Sequence, residues 1–196
     1  MRIIAGSARG RRLDAPAGPD TRPTADRVRE SLFSIVAPRL SGARVLDLFA
    51  GSGALGLEAL SRGAERAVFV DSAAAARQAV RRNIEALSFG DRSTLLSMDA
   101  LAAVARLRGE RFDIIFIDPP YAMRTDALFS AVCDAKLLSA DGLIVYEHGR
   151  EANPDFLPGA AGQPPTQTGA PFATIDRRRY GDTVVTFLRN RTEEAE

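Results

Sequence analysis

The residues best suited to chemistry form the run Asp118-Pro119-Pro120-Tyr121, which directly follows the apolar residues 114–117. The Asp118 carboxylate and the Pro119 carbonyl are hydrogen-bond acceptors, and proline stiffens the turn because it fixes φ and carries no N–H. Two acceptors that bind both hydrogens of an exocyclic amine turn its lone pair out of the plane of a nucleic-acid base. Tyr121 adds an aromatic face on which a base can stack. The run therefore predicts a site for reaction at an exocyclic amine. The alternative is a proline-rich turn in which Tyr121 only packs.

A glycine-rich turn provides a second candidate site. Gly51, Gly53 and Gly56 satisfy the pattern G-x-G-x-x-G between an apolar run and a predicted helix, and Asp71 ends the next apolar run. This pattern is typical of a dinucleotide site with the acidic residue on a ribose. Asp47, just before the turn, favours another ligand, because its carboxylate would repel dinucleotide phosphates but attract the ammonium and sulfonium of S-adenosylmethionine. We therefore predict an S-adenosylmethionine site. The alternative is a tight capped turn without a ligand.

A further acidic residue, Asp99, follows the next predicted strand. At the same edge of the sheet, its carboxylate could accept a hydrogen bond from the amine of an adenine. A carboxylate in this position equally well caps a helix that begins at Ala100. The sequence leaves both interpretations open.

These residues need a scaffold, and apolar runs that alternate with helical stretches supply one. The predicted strands are 44–49, 67–71, 94–98, 113–117 and 143–147, and the predicted helices are 54–61, 73–87, 99–107 and 125–135. The alternation predicts βαβ units and hence an α/β, doubly wound, Rossmann-like fold with a mostly parallel sheet. Residues 174–179 and 183–189 flank a turn and predict a C-terminal antiparallel hairpin. The carboxyl ends of the parallel strands would then bring Asp47, Asp71 and Asp118 to one edge of the sheet.

The N-terminal residues predict a basic arm. Residues 1–12 contain no acidic residue, and their glycines allow the backbone to approach a polyanion. Short strands and turns are expected here, with contacts to RNA phosphates. The arginines proposed for these contacts are Arg2, Arg9, Arg11 and Arg12. A second basic cluster, residues 177–179, is interpreted as a solvated surface, with RNA contact as the alternative.

Three segments are expected along the chain. Residues 1–40 form the arm and a helix that Thr24 caps, residues 41–190 form the main domain, and residues 191–196 form an acidic tail. A proline- and glycine-rich stretch at 151–171 predicts a long irregular loop.

The composition excludes several classes of protein. The chain has 196 residues, 45% of them hydrophobic, and a formal net charge of +1. Its single cysteine, Cys133, excludes an intrachain disulfide, and its single histidine, His148, argues against a Ser-His-Asp triad; no metal site is expected. Cys133 is interpreted as a core residue, and His148 as a packing or surface residue. Without an apolar segment that suits a signal peptide or a membrane span, a cytoplasmic location is expected.

The order of these motifs resembles that of class I S-adenosylmethionine-dependent amino-methyltransferases, which include DNA adenine, protein glutamine and RNA guanine enzymes. Further segments resemble the RsmD family: RIIAG at 2–6, RGR at 9–11, TRPTADRVRESLF at 21–33, GLIVYE at 142–147 and YGDT at 180–183. That family methylates the exocyclic N2 amine of a guanine in bacterial 16S rRNA. The resemblance covers nearly the whole chain, although the loop at 151–171 is longer than is typical of the family.

The resemblance implies a role for each matching residue. The methionine part of the cofactor would lie against Asp47, Gly51 and Gly53, the ribose against Asp71 and the adenine against Asp99. Phe49, Ser72 and Ala100 are further residues expected to bind the cofactor. The target base would be held by Asp118, Pro119, Pro120 and Tyr121. The cofactor would be covered, or RNA contacted, by Thr21, Arg22 and Thr24. The implied partner is 16S rRNA, in the 30S subunit or an assembly intermediate, and a monomer is expected.

Two other functions stay open at this point. One is a different amino-methyltransferase that acts on DNA adenine or protein glutamine, although a nearly neutral chain without a separate recognition domain argues against DNA. The other is a non-catalytic RNA-binding assembly factor, against which the intact run at 118–121 argues.

Overall fold

The computed structural model describes residues 1–16, 26–120, 123–149 and 172–191. Within these ranges, α-helices and β-strands follow one another in the alternating order that the sequence predicts. The helices are α1 (Asp26–Val36), α2 (Ala54–Ser61), α3 (Ala74–Leu87), α4 (Ala100–Arg106) and α5 (Asp126–Asp134). The strands are β1 (Arg44–Asp47), β2 (Arg66–Val70), β3 (Ser93–Leu96), β4 (Phe112–Ile117), β5 (Leu138–Gly149), β6 (Phe172–Tyr180) and β7 (Thr183–Asn190).

The strands form one mixed sheet in the order β3-β2-β1-β4-β5-β7-β6. Strands β1 to β5 pair in parallel, and β7 runs antiparallel to both β5 and β6. The chain winds from β1 outward through β2 to β3 and then returns to β4 on the other side of β1. Ligands bind at such a switch point, outside the carboxyl ends of the strands. The doubly wound α/β fold with a C-terminal antiparallel hairpin is therefore confirmed.

Helices cover both faces of the sheet. Residues of α1, α2 and α3 pack on one face, in a cluster that includes Phe33, Phe69 and Phe116. Residues of α4 and α5 pack on the other face, where Ile115 and Ile117 point. Because successive residues of β4 point to opposite faces and both faces are buried, its residues 114–117 are all apolar, and the half-buried Asp113 lies near the start of the strand.

The N-terminal arm, residues 1–16, is fastened to α2. Arg2 and Arg12 form an antiparallel bridge within the arm. The fully buried Glu58 of α2 accepts hydrogen bonds from the backbone amides of Ile4 (2.7 Å) and Ala5 (3.0 Å) and from Arg62 Nε (2.7 Å). Three donors satisfy this carboxylate, so its burial is tolerated. The arm is thus part of the folded body, because its apolar side chains also belong to the core on that face.

Gly6→Ala is expected to destabilise the fold by about 3 kcal/mol, of which the left-handed backbone (φ +84) accounts for about 1 kcal/mol. The remainder is a clash, because an added Cβ would lie 1.9 Å from the Ser61 carbonyl oxygen of α2. Thermal unfolding should show a fall in Tm of about 6–12 °C. The matched control is Gly10→Ala, where φ is +81 but a Cβ meets nothing within 4 Å. Equal losses in the two variants would contradict the docking of the arm on α2.

The structure alters several details of the sequence predictions. Strand β1 ends at Asp47, two residues earlier than predicted, and β5 spans twelve residues because it includes residues 138–142 and 148–149 on either side of the predicted strand 143–147. Cys133 is half-buried at the margin of the core, so the prediction of a core residue is wrong. His148 is buried and stacks on Tyr146 with 4.7 Å between ring centroids, which selects packing over a surface position.

Some predictions lie outside the described residues: Thr24 as the cap of α1, the loop at 151–171 and all of the acidic tail except Arg191. None of the helices in the described ranges has the length and apolar character required to span a lipid bilayer.

Candidate active site

Three carboxylates meet at the switch point of the sheet. Asp47, the last residue of β1, pairs in register with Phe69 of β2 and with Phe116 of β4. Asp71 and Asp118 each lie two residues beyond those partners, and residues two apart in a strand share a face. The register thus places one carboxylate on either side of Asp47, as the strand ends in the sequence predict.

Asp47 is poised to bind a cation. Its side chain is 1% exposed, and Oδ2 accepts a hydrogen bond from the Gly56 amide (3.2 Å). Its other oxygen, Oδ1, is buried and has no hydrogen-bond partner within the described ranges. A buried carboxylate oxygen without a partner costs free energy unless a ligand satisfies it. This oxygen therefore fits the ammonium group of S-adenosylmethionine.

Burial dominates the electrostatics of both central carboxyl groups. It raises the pKa of Asp47 to about 7; interactions with the backbone amides of Gly56 and Phe49 oppose this rise, and the charges of Asp118 and Asp71 add to it. Burial also raises the pKa of Asp118 to about 7. No group of three or more side chains in the described ranges is arranged to hold a metal ion. The site is thus acidic, and a bound organic cation would favour the ionised form of the Asp47 and Asp118 carboxyl groups.

The glycine-rich turn is held from two sides. Asp71 Oδ2 accepts a hydrogen bond from the Gly51 amide (2.9 Å), and Asp71 Oδ1 accepts one from the Ala73 amide (2.8 Å). Asn83 Nδ2 of α3 donates to the Ser52 carbonyl (2.8 Å). Gly51 and Gly53 have φ of +55 and +80, which favours glycine at both positions. A Cβ on Gly51 would meet nothing within 4 Å, so a ligand can approach the backbone at this residue, whereas Gly53 packs against Leu57.

The third glycine of the pattern serves packing. A Cβ on Gly56 would lie 2.3 Å from the ring of Phe69, so only glycine lets α2 sit this close to β2. This close packing of helix on strand is the role that the third glycine has in Rossmann-like folds.

The other residues predicted for the cofactor lie beside this turn and at the end of β3. Phe49 is half-buried directly after β1, and Ser72 is exposed directly after Asp71. Asp99 is exposed, and its Oδ1 caps α4 by accepting a hydrogen bond from the Ala102 amide (2.9 Å). Ala100, the first residue of α4, is buried in the core. Helix capping by Asp99 is confirmed, whereas its contact with adenine stays a prediction.

The acceptor turn follows β4. Asp118 is half-buried, Pro119 is buried and Pro120 is exposed. The Pro120 carbonyl accepts a hydrogen bond from the Met123 amide (2.8 Å), which closes the turn. Tyr121, Thr21, Arg22 and Thr24 lie outside the described residues, so their predicted roles stay predictions.

The arginines predicted to contact RNA are all exposed on the arm. Arg11 Nη2 donates to the Ala86 carbonyl of α3, which fixes its side chain along that helix. In the second basic cluster, Arg178 and Arg179 are exposed, but Arg177 is half-buried and burial lowers its pKa. The cluster is therefore not the fully solvated surface that the sequence predicted.

Sequence reasoning missed Glu58 and Asn83, which hydrogen-bond the arm to α2 and to α3, respectively. Each is a buried polar residue in an otherwise amphipathic or apolar helix. A charged side chain in the apolar helix ALGLEALS is a signal that could have identified Glu58.

Comparisons with known proteins identify the family of this chain. The model of the family described as "Conserved hypothetical protein 95" matches residues 1–189. The YlbH protein of Bacillus subtilis is 46% identical over 154 residues, which cover 77% of this chain and 84% of that protein. The "Ribosomal RNA small subunit methyltransferase D" of Escherichia coli is 45% identical over 121 residues, and the match covers 62% of this chain and 60% of the E. coli protein.

Solved structures show the same architecture. The yhhF protein of Escherichia coli superimposes with a TM-score of 0.81 at 31% identity, covering 98% of this chain and 99% of that one. The Thermus protein TTHA0928 superimposes with a TM-score of 0.76, also at 31% identity, covering 96% and 99%. Together with the acidic site at the switch point, these matches show that the chain belongs to the RsmD family of S-adenosylmethionine-dependent methyltransferases.

Proposed function

We propose that this chain transfers a methyl group from S-adenosylmethionine to the exocyclic N2 amine of a guanine in 16S rRNA. The observation that carries the proposal is the placement of Asp47 beside Asp118 at the switch point. One carboxylate has a buried oxygen that a cation would satisfy, and the other begins a turn of hydrogen-bond acceptors. The first feature suits a methyl donor that is a cation, and the second suits a methyl acceptor that is an amine.

The residues around the glycine-rich turn would hold the cofactor. Asp47 would bind the ammonium group, the half-buried backbone at Gly51 and the buried backbone at Gly53 would lie along the methionine part, and Asp71 would bind the ribose. When bound, S-adenosylmethionine supplies a methyl group that its sulfonium already activates. The remaining work of the protein is to place the accepting nitrogen in line with that methyl group.

The turn after β4 would bind and orient the base. The Asp118 carboxylate and the Pro119 carbonyl would accept the two hydrogens of the amine, and Tyr121 would stack on the ring. Methylation leaves the nitrogen acidic, and Asp118 or water would take the proton. With a pKa of about 7, Asp118 is suited to accept a proton near neutral pH.

The arm would bring RNA to this site. Its exposed arginines offer planar guanidinium groups that pair with phosphates. A guanine within folded RNA must be turned out of its stack before its amine can reach Asp118. Relatives from Escherichia coli and Haemophilus influenzae carry the name "Ribosomal RNA small subunit methyltransferase D", which supports rRNA of the small subunit as the substrate. The choice of guanine N2 rests on the family resemblance.

We expect cofactor affinity to rise about tenfold between pH 6 and pH 8. The cation binds the ionised form of Asp47, and that form grows from about a tenth to about nine-tenths of the molecules across a pKa of about 7. Calorimetry in buffers of different ionisation enthalpy should show protons released on binding at pH 6. An affinity that does not change with pH in the wild-type chain would contradict the role of Asp47. In Asp47→Asn the pH dependence should disappear.

The decisive experiment measures transfer of labelled methyl groups to unmodified 16S rRNA, offered naked and as assembled 30S particles. Mass spectrometry should then identify guanosine methylated on N2. Methylation of neither substrate, with cofactor binding intact, would overturn the proposed substrate. In that case naked duplex DNA and protein glutamine are the next substrates to compare.

A further inference from the structure

A hydrogen-bonded bridge connects the glycine-rich turn to the arm. Its centre is Asn83 of α3, which is 2% exposed. Asn83 Nδ2 donates to the Ser52 carbonyl (2.8 Å) and to the Asp14 carbonyl (2.9 Å), while Asn83 Oδ1 accepts a hydrogen bond from the Asp14 amide (2.8 Å). The amide side chain thus uses both donor hydrogens and its acceptor. Any rotation would leave partly or fully buried backbone groups without partners, which is costly.

The turn end of the bridge lies within the predicted cofactor site. Ser52 stands between Gly51 and Gly53, whose backbone is in the left-handed region. Asp71 holds the Gly51 amide, and Asn83 holds the carbonyl of the next residue. Since glycines give the turn little stiffness of their own, its position depends on these two anchors.

On the arm, the contacts are made by residues near both of its ends, Met1 and Asp14. Besides Asp14, the arm reaches the turn through Met1, whose Sδ accepts a hydrogen bond from Ser52 Oγ (3.6 Å). The Leu13 amide donates to the Met1 carbonyl (3.1 Å), which ties the two contacts together. Met1 and Asp14, the arm residues in these contacts, are therefore close in the chain to the exposed Arg2 and Arg12, whose backbones pair with each other. Arg2 adjoins Met1 and Arg12 lies two residues before Asp14, so a ligand that shifts these arginines can act on Met1 and Asp14 through the intervening backbone.

We propose that Asn83 is a positioning residue that couples RNA binding on the arm to the geometry of the cofactor turn, so that RNA and S-adenosylmethionine bind cooperatively. The proposal rests on the proposed function for the identity of the ligand on the arm. It predicts a coupling that is equal in both directions, because two linked binding equilibria share one coupling free energy.

The test measures the affinity for labelled S-adenosylhomocysteine, the unreactive product, by equilibrium dialysis with and without saturating unmodified 16S rRNA. In the wild-type chain we expect RNA to tighten binding at least about fivefold. Asn83→Asp keeps an acceptor for the Asp14 amide but loses both donated hydrogen bonds, and we expect the effect of RNA to fall below about twofold. The matched control is Arg82→Ala. It removes the exposed ion pair with Asp14 (2.9 Å) but spares the bridge, so it should keep the full effect.

A second variant keeps the proposal testable if Asn83→Asp does not fold. Asp14→Pro removes the amide that donates to Asn83 Oδ1, and it should also lower the effect of RNA while the Asn83–Ser52 bond persists. It removes the Asp14–Arg82 ion pair as well, a loss for which the control Arg82→Ala accounts. Binding of RNA is measured separately on filters. If RNA binds but leaves the affinity for S-adenosylhomocysteine unchanged, or if both variants retain full coupling, the role of Asn83 is refuted and the proposed function stands. The same measurements are made with assembled 30S particles. If 16S rRNA neither binds nor is methylated, whether naked or in 30S particles, the proposed function fails, and the coupling fails with it.

Discussion

Asp118→Ala is expected to slow methyl transfer by at least about a hundredfold, the typical cost of removing one preorganised group that stabilises the transition state. The substitution removes the acceptor that, with the Pro119 carbonyl, would turn the lone pair of the amine toward the methyl group. Single-turnover measurements with saturating cofactor and RNA isolate this step from binding.

The same substitution should leave the affinity for S-adenosylmethionine unchanged or slightly higher. The charge of Asp118 contributes to the raised pKa of Asp47, so its removal lowers that pKa. More Asp47 is then ionised at pH 7, and the ionised form is the one that binds a cation. Calorimetry at pH 7 measures this directly.

Two further variants make the prediction sharper. Asp118→Asn keeps a carbonyl oxygen as an acceptor and should lose less activity than Asp118→Ala. Asp126→Ala removes a carboxylate from the first turn of α5, where it pairs with Arg124, and should retain activity. Normal transfer rates in Asp118→Ala would refute the assignment of Asp118 as a catalytic residue.

The sequence predicts the fold and the centre of the site well, because both depend on local pattern. Apolar runs that end in aspartate mark the carboxyl ends of β1, β2 and β4, and parallel pairing then brings Asp47, Asp71 and Asp118 together. The switch point follows from topology, not from details of packing. The errors in the strands lie at their boundaries: in β5, Ser139 and Asp141 interrupt the apolar pattern, yet their backbone continues the strand.

The contacts that fasten the arm could not be predicted, because they join residues far apart in the chain. Glu58 meets the amides of Ile4 and Ala5 across 54 and 53 residues, and Asn83 meets Asp14 across 69. No periodicity encodes such pairs. The same limit applies to the missing partner of Asp47 Oδ1, which depends on how β1, β2 and β4 exclude neighbouring donors.

Asp47→Asn is expected to weaken binding of S-adenosylmethionine about a hundredfold at pH 8 and, in the same conditions, to stabilise the ligand-free protein. The loss of affinity reflects the removal of a hydrogen bond between charged groups, worth about 1.5–3 kcal/mol. The gain in stability has the opposite origin, since ionising Asp47 in its buried site opposes folding. A rise in pKa from 3.8 to about 7 corresponds to roughly 4 kcal/mol at most.

The sign of the stability effect depends on pH. Between about pH 4 and pH 7 the folded wild-type chain holds a proton on Asp47 that the unfolded chain has lost, so this group makes stability fall as pH rises. Asparagine does not titrate, and its amide leaves one buried donor unpaired at a cost of about 1–3 kcal/mol. The variant should therefore be about 2 kcal/mol more stable than wild type at pH 8, the difference should reach zero near about pH 5, and at pH 4 the variant should be about 1–2 kcal/mol less stable than wild type.

Urea unfolding of both proteins across this range provides the measurement, with the exposed Asp91→Asn as a control that should change neither stability nor affinity. A variant that loses stability at pH 8 would show that another group already satisfies Asp47 Oδ1. A variant that gains stability but keeps its affinity would show that the cation binds elsewhere. Only the combined result, weaker binding with greater stability, identifies Asp47 as a group whose folding cost is offset by the cofactor. Such an exchange of stability for binding is expected where a buried charge serves a ligand and not the fold.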